Sequence, residues 1–391
     1  MKFHVPVVLG ALALALTACG GSTSSSMTVA APSAPPPPPL ANQLYTETNE
    51  TANMVVHLVR AADGTITIKN RVATGGAGLN GFRPGATTQG PNSLISQNSV
   101  IVSQDKTTLF AVNGGDSSVS VFAIDQTSGD LTLKKATKLL GSVPSSLAYR
   151  NGILYVMFQT GSNQIGAYAV QNDGALAQLS LQNLPMPAAT PTQVVVSPDG
   201  NFAVVSAGTA SNDIVTYPIN KDGSLGSPVV NTAGVNTPFA GAFAATSVYL
   251  SSDIGGKALA SYRMSNAGVL SLIGSVVSGE GAPCWLVVTP NGKYAYVGNG
   301  AGSVSSYAVD ADGRLTLLQA RAAFEAGPAS GGTSVSGDSW VSPDGKFLYA
   351  AYLGVDKVVA YAIAADGSIT KLNEAAIGTA TKLTVQGLAG I

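Results

Sequence analysis

The sequence predicts an all-β protein: a seven-bladed β-propeller of four-stranded antiparallel blades, its ring closed by pairing the N- and C-terminal segments in one blade. Three observations carry this. A turn built on Asp-Gly or a close variant recurs at Gly64, Gly129, Gly174, Gly223, Gly268, Gly313 and Gly367, and the intervals 129 to 174, 223 to 268 and 268 to 313 are each 45 residues. That falls within the period of about 40 to 50 residues typical of propeller repeats. Each turn joins an alternating strand to a Leu/Ile-Thr-like one. The chain end, Val385-Gln386-Gly387-Leu388-Ala389-Gly390, reads as a first strand without successors, while residues 44–68 read as three later strands without a first. Joined, they make the seventh blade and remove an open sheet edge.

The chain begins Met1-Lys2-Phe3-His4, continues through an apolar run at 5–16 and reaches Leu16-Thr17-Ala18-Cys19-Gly20. This reads as a secretory signal over residues 1–19, with a run too short to span a bilayer as a helix. It resembles bacterial lipoprotein signals, and the resemblance implies that Cys19 becomes an acylated mature N-terminus. The expected location is the cell envelope, with membrane contact through the lipid anchor only. Residues 20–42 are Gly/Ser-rich and then proline-rich, with Pro35 to Pro39 unbroken, and read as a tether. Residues 43–391 remain as one domain, because a closed ring of repeats uses them without a second linker.

Charged residues make up 10% of the chain, with 20 basic and 21 acidic side chains. The average globular protein carries about 25%. No run of either sign offers a footprint for nucleic acid. Outside the leader the one cysteine is Cys284, so no internal disulfide is expected and ring closure must do the stapling. Cys284, between Pro283 and Trp285 on an inner strand, reads as an inert buried thiol.

The clearest repeat starts at Trp285. A strand at 285–289 leads to the turn Pro290-Asn291-Gly292, a second strand at 293–299, a third at 303–309, the turn Ala311-Asp312-Gly313 and a fourth strand at 314–318. First strands are expected at 99–103, 145–149, 193–197, 239–243, 285–289 and 338–342. Tyr168, Tyr217, Tyr262, Tyr307 and Tyr361, with Phe122 substituting once, share one third-strand position and read as packing between blades. Two intervals are longer, 64 to 129 and 313 to 367. Their insertions include Thr74-Gly75-Gly76-Ala77-Gly78-Leu79-Asn80-Gly81 and residues 326–337, and both are expected over the channel or rim as mobile covers. The first lacks the Lys-Ser/Thr and helix of a phosphate loop, no residues have metal-ligand spacing, and no cofactor is expected.

The run Phe110-Ala111-Val112-Asn113-Gly114-Gly115, followed by Val119-Ser120-Val121-Phe122, the Ser-Pro-Asp-Gly turns and Ala282-Pro283-Cys284-Trp285-Leu286-Val287-Val288-Thr289 resemble the lactonase-like seven-bladed propellers. That family includes the propeller-type 6-phosphogluconolactonases and carboxymuconate cyclases. The resemblance spans about residues 43–391 and is nearest an exported lipoprotein branch. It implies a hydrolase or cyclase acting on a small lactone or sugar acid, with histidine, arginine and glutamate from inner strands at a polar channel mouth. The chain departs from that pattern. His57, between Val56 and Leu58, is expected on an outer strand, and His4 lies in the leader, so the family histidine has no counterpart.

Ser99, Ser145, Gln193, Trp285 and Asp338 stand at the strand starts where the family places polar groups, and of these only Asp338 titrates. Asp338 is the candidate general base, while Arg83 and Arg263 are candidates to bind an acidic lactone. The competing reading is a non-catalytic binding or protein-interaction module. In it Trp285, Gln193 and Asn299, beside Ser99 and Ser145, line a neutral pocket for a small polar molecule, or the rim meets a protein partner. A purely structural envelope protein is a third reading.

Overall fold

The computed structural model of the protein describes residue 1 and residues 40–391, apart from 187, 188, 209, 233 and 235. Cys19, with nearly all of the leader and tether, lies outside the described residues. The described residues form 28 strands in seven four-stranded antiparallel sheets, with no helix among them.

The inner strands are Val100–Val102, Ser142–Arg150, Gln193–Val196, Pro238–Ala245, Pro283–Val288, Ser336–Val341 and Gln386–Gly390, and they head blades I to VII in that order. In blades I to VI the three outer strands follow in sequence, as antiparallel strands joined by short turns must. Blade VII is assembled from both ends of the chain. Gln386–Gly390 pairs with Gln43–Glu47, which is followed outward by Met54–Arg60 and Ile66–Ala73. The last strand also lies beside the inner strands of blades VI and I, so the ring is complete. Thr46 Oγ1 donates to the carbonyls of Gln386 (2.9 Å) and Gly387 (2.6 Å), fastening the closure inside the sheet.

The repeating aromatics are buried as packing residues. In blades I, II, IV, V and VI the pairing of third and outer strands shifts register immediately before Phe122, Tyr168, Tyr262, Tyr307 and Tyr361. A bulge there steepens the local twist where the sheets fan apart, and the large ring occupies the widened space. Blade VII has the same shift between His57 and Leu58, so Leu58 takes the aromatic's place.

The turn glycines have a second use that the repeat alone does not reveal. Second-strand tyrosines donate across the blade boundary to their carbonyls: Tyr45 to Gly129 (2.7 Å), Tyr155 to Gly223 (3.2 Å), Tyr296 to Gly367 (2.9 Å) and Tyr349 to Gly64 (2.9 Å). Each bond links a blade to the next one around the ring. Gly64 has φ +90°, and a Cβ there would fall 2.2 Å from the Phe347 ring, so both backbone conformation and contact require glycine.

One expectation holds and one needs correction. His57 lies on one of the outer strands, the third of blade VII, and it is buried. Its ring stacks on Tyr45 with centroids 4.8 Å apart, and Nε2 is 2.6 Å from Gln43 Oε1. It occupies a between-sheet slot that elsewhere holds Val121, Ala167, Ser261, Ser306 or Ala360, remote from the channel. The first insertion, in turn, is not simply a cover. Its glycine run packs tightly, since a Cβ at Gly78 would lie 2.3 Å from the Asn49 backbone. The residues that follow enter the channel.

Candidate functional site

In every propeller the inner strands turn one hydrogen-bonding edge toward the axis, where no further strand pairs with it. Here residues 92–98 occupy that space. Ser93, Leu94, Ser96 and Gln97 are buried, and together with Asn98 they form bonds that reach five blades. Ser96 Oγ donates to the carbonyl of Ser145 in blade II (2.6 Å), and Gln97 N to the carbonyl of Thr192, just before the inner strand of blade III (3.1 Å). The Gln97 carboxamide pairs with blade V like a short strand, accepting from Leu286 N (2.8 Å) and donating to Leu286 O (2.7 Å). Asn98 N donates to Asp338 Oδ1 in blade VI (2.7 Å), and Leu94 N to Gln386 Oε1 in blade VII (3.3 Å). Asn92, Ile95 and Asn98 all have φ between +46° and +68°. At β-branched Ile95 this is a costly conformation, held by the surrounding bonds.

This plug divides the channel into an upper mouth, where inner strands begin, and a lower one, where they end at the Pro-Asp-Gly hairpins. The upper cleft, about 510 Å³, lies between the first insertion, the inner strand of blade V and the segment that leads into the inner strand of blade VI. Arg83, Gln89, Asn92, Cys284, Trp285 and Thr333 line it. Arg83 makes one long contact, from Nη2 to the carbonyl of Pro91 (3.5 Å), and no ion pair among the described residues. Asn92 is buried, and its Oδ1 has no protein partner. Burial pushes the Cys284 thiol up to about 12, opposed by the charge of Arg83, as suits an inert buried thiol.

Asp338, Trp285 and Ser99 gather around the plug. The Trp285 indole N–H donates to Ser96 O (3.0 Å). Asp338 is 1% exposed, and burial raises its carboxyl to about 7 against the N–H donors of Asn98 and Gly387. Close by lies Glu47, which the sequence reading did not single out. It is fully buried and bonded to Asn53 Nδ2 at 3.0 Å. Burial pushes it up to about 8, opposed by Asn53 and Ser99 and reinforced by the charge of Asp338. The two carboxyls stand on different blades, both raised chiefly by burial, and neither lines the upper cleft or the lower cavity.

The remaining candidates fall elsewhere. Ser145 supplies its carbonyl to the plug, and its own hydroxyl has no protein partner. Gln193 lines the lower cavity, its Oε1 accepting from Gly241 N (2.5 Å). Asn299 lines neither cavity. Its Nδ2 donates to Ser303 Oγ (3.1 Å) and Ser305 Oγ (3.0 Å) within its own hairpin, as Asn113 does with Ser118 and Ser120 in blade I. Arg263 bonds the carbonyl of Asp312 (2.8 Å) at an exposed blade boundary, away from the channel.

A closed seven-bladed ring with a plugged axis and a cleft above the plug defines the class of fold as a β-propeller. The chain belongs to the family described as lactonase, 7-bladed beta-propeller, which residues 41–190 and 229–382 match. The unmatched stretch covers most of blade III, whose outer strand is shortened to Val229–Asn231. Among curated relatives, 6-phosphogluconolactonase of Pectobacterium atrosepticum is 27% identical over 252 residues, 62% of this chain and 74% of that protein. That of Bacillus subtilis is 28% identical over 273 residues, 64% and 75% of the two chains. Among solved structures, the periplasmic gluconolactonase of Pseudomonas aeruginosa superposes with a TM-score of 0.68 at 18% identity, over 89% of this chain and 99% of that one, a likeness of fold.

Proposed function

We propose that this chain is an exported, lipid-anchored propeller that binds a small polyhydroxylated lactone or its open sugar acid in the upper cleft. The observation that carries the reading is the pairing of Arg83 with Asn92 in one concave site. A guanidinium without a carboxylate partner suits an anionic or carbonyl oxygen, and a buried amide oxygen without a donor suits a hydroxyl. The relatives named for lactonases act on ligands of this class, and the lipobox at Cys19 supports export. Titration calorimetry with gluconate and glucono-δ-lactone tests the site. Binding should weaken at least about tenfold in Arg83→Gln, as loss of one charge-assisted bond requires. Equal binding by the variant would remove Arg83 from the reading. Labelling with radioactive palmitate tests the anchor: the protein should take up label and Cys19→Ser should not.

Hydrolysis is the second reading, favoured by the adjacent carboxyls of Asp338 and Glu47, which titrate where an acid and a base are both available. It requires residues 92–98 to move aside, because Asp338 Oδ1 is occupied by Asn98 N.

A further inference from the structure

Below the plug the channel holds a cavity of about 430 Å³, walled by the inner strands of every blade except II and roofed by Gln97 and Asn98. None of its lining residues is Asp, Glu, His, Lys or Arg. We infer that this lower half of the channel is a second binding site, for an uncharged saccharide of about one ring, held between Trp340, Asn98 and Gln193.

Three side chains separate this cavity from a bare lumen. The backbone of Asn98 is fixed on both sides, its N–H on Asp338 (2.7 Å) and its carbonyl accepting from Leu147 N (2.9 Å), at φ +68°. Asparagine tolerates that conformation better than most residues. Its carboxamide makes no bond to protein and stays available as donor and acceptor at the roof. The Oε1 of Gln193 is taken by Gly241 N (2.5 Å), which orients the amide and leaves its NH₂ group without a protein acceptor. Trp340 lies against Gly390 so closely that a Cβ there would come within 2.7 Å of the indole, and its ring packs 5.9 Å from Tyr349. The ring is therefore rigid, and its N–H has no acceptor in the protein.

An aromatic surface with a few oriented amides and no fixed charge matches a sugar ring, whose C–H faces pack on indole and whose hydroxyls both donate and accept. The cavity lies within the range of about 300 to 1,000 Å³ usual for small-molecule sites. A carboxylate or phosphate would lose water there without meeting a cation. The plug separates this site from Arg83, so the two cavities select by charge in opposite senses.

Full-length protein in detergent is titrated with D-glucose, D-galactose and D-glucuronate, read by calorimetry and by tryptophan fluorescence. Trp285 lines the upper cleft, so a fluorescence change is assigned to Trp340 only where it persists in Arg83→Gln and is lost in Trp340→Phe. In Arg83→Gln protein, where the upper cleft has lost its cation, at least one neutral sugar should bind saturably, with glucuronate at least about tenfold weaker. Asn98→Gly, which keeps the backbone conformation, and Trp340→Phe, which keeps the ring on Gly390, should each weaken the calorimetric affinity about tenfold. Arg83→Gln should leave it unchanged, which separates this site from the upper cleft. The absence of saturable binding by either neutral sugar, equal affinity for glucuronate in Arg83→Gln protein, unchanged affinity in Trp340→Phe, or loss of neutral-sugar binding in Arg83→Gln would each overturn the assignment.

Discussion

Replacing Glu47 with glutamine should make the protein more stable in mild alkali, although the change removes a hydrogen-bonded carboxylate from its interior. In the folded ring this group titrates at about 8 rather than its ordinary 4.5, because burial penalises the charge more than Asn53 and Ser99 relieve it. Below pH 4.5 folded and unfolded chains both carry the proton, and the group has no effect on the pH dependence. Between 4.5 and about 8 the unfolded chain releases it while the folded one keeps it, so stability falls by about 1.4 kcal/mol per pH unit. The loss is complete once the folded group ionises and reaches at most about 5 kcal/mol. Asp338, raised to about 7, adds a loss of the same sign between 3.8 and 7. Glutamine can still accept from Asn53 and carries no charge to desolvate. Urea denaturation of the wild type and Glu47→Gln at pH 5 and pH 8.5 measures the difference: the wild type should lose several kcal/mol more than the variant between the two conditions. Equal losses would show that Glu47 is ionised at no cost in the fold, and the argument from burial would be wrong.

Removing residues 382–391 should prevent folding to the native ring, seen as lost cooperative melting, because it deletes the inner strand of blade VII and the buried Val385, Leu388 and Ile391. Tyr349→Phe, which cuts the bond to Gly64 but keeps the ring, should cost about 1 kcal/mol in denaturation. His57 is held down to about 4, first by burial and then by the Lys69 charge. Stability should therefore decline as pH falls from 6.5 to 4, by up to about 3 kcal/mol, and His57→Gln should remove that decline. Where lactone hydrolysis is detected, Asp338→Asn should lower turnover at least about tenfold with Arg83-dependent binding retained; unchanged turnover would exclude Asp338 as the base.

The legibility of this chain divides by distance along it. Alternation, turn glycines and third-strand aromatics are local signals, and they placed the inner strands within a few residues of where they lie. The closing blade was readable for the same reason, since a first strand at 385–390 and three orphan strands at 44–68 are each local patterns. Glu47 offered no such signal. In Gln43-Leu44-Tyr45-Thr46-Glu47 it reads as a polar strand residue, and only its burial in the closed ring, with Asp338 nearby, makes it a raised acid. Asn299 shows the converse: the same amide-and-serine hairpin in blade I explains it as a structural residue, once the two blades are compared in space.

From sequence alone came the class of fold, the number of blades, the shared closing sheet and the expected leader, because period and turn chemistry are written in neighbouring residues. Tertiary structure alone decided that residues 92–98 cross the axis, that Arg83 and Asn92 face one cleft, and that the lumen below carries no charge. The Gln97–Leu286 pair spans 189 positions. Contacts of that kind have no periodic signature, since they exist only after seven sheets have closed and turned their unpaired edges toward a common axis.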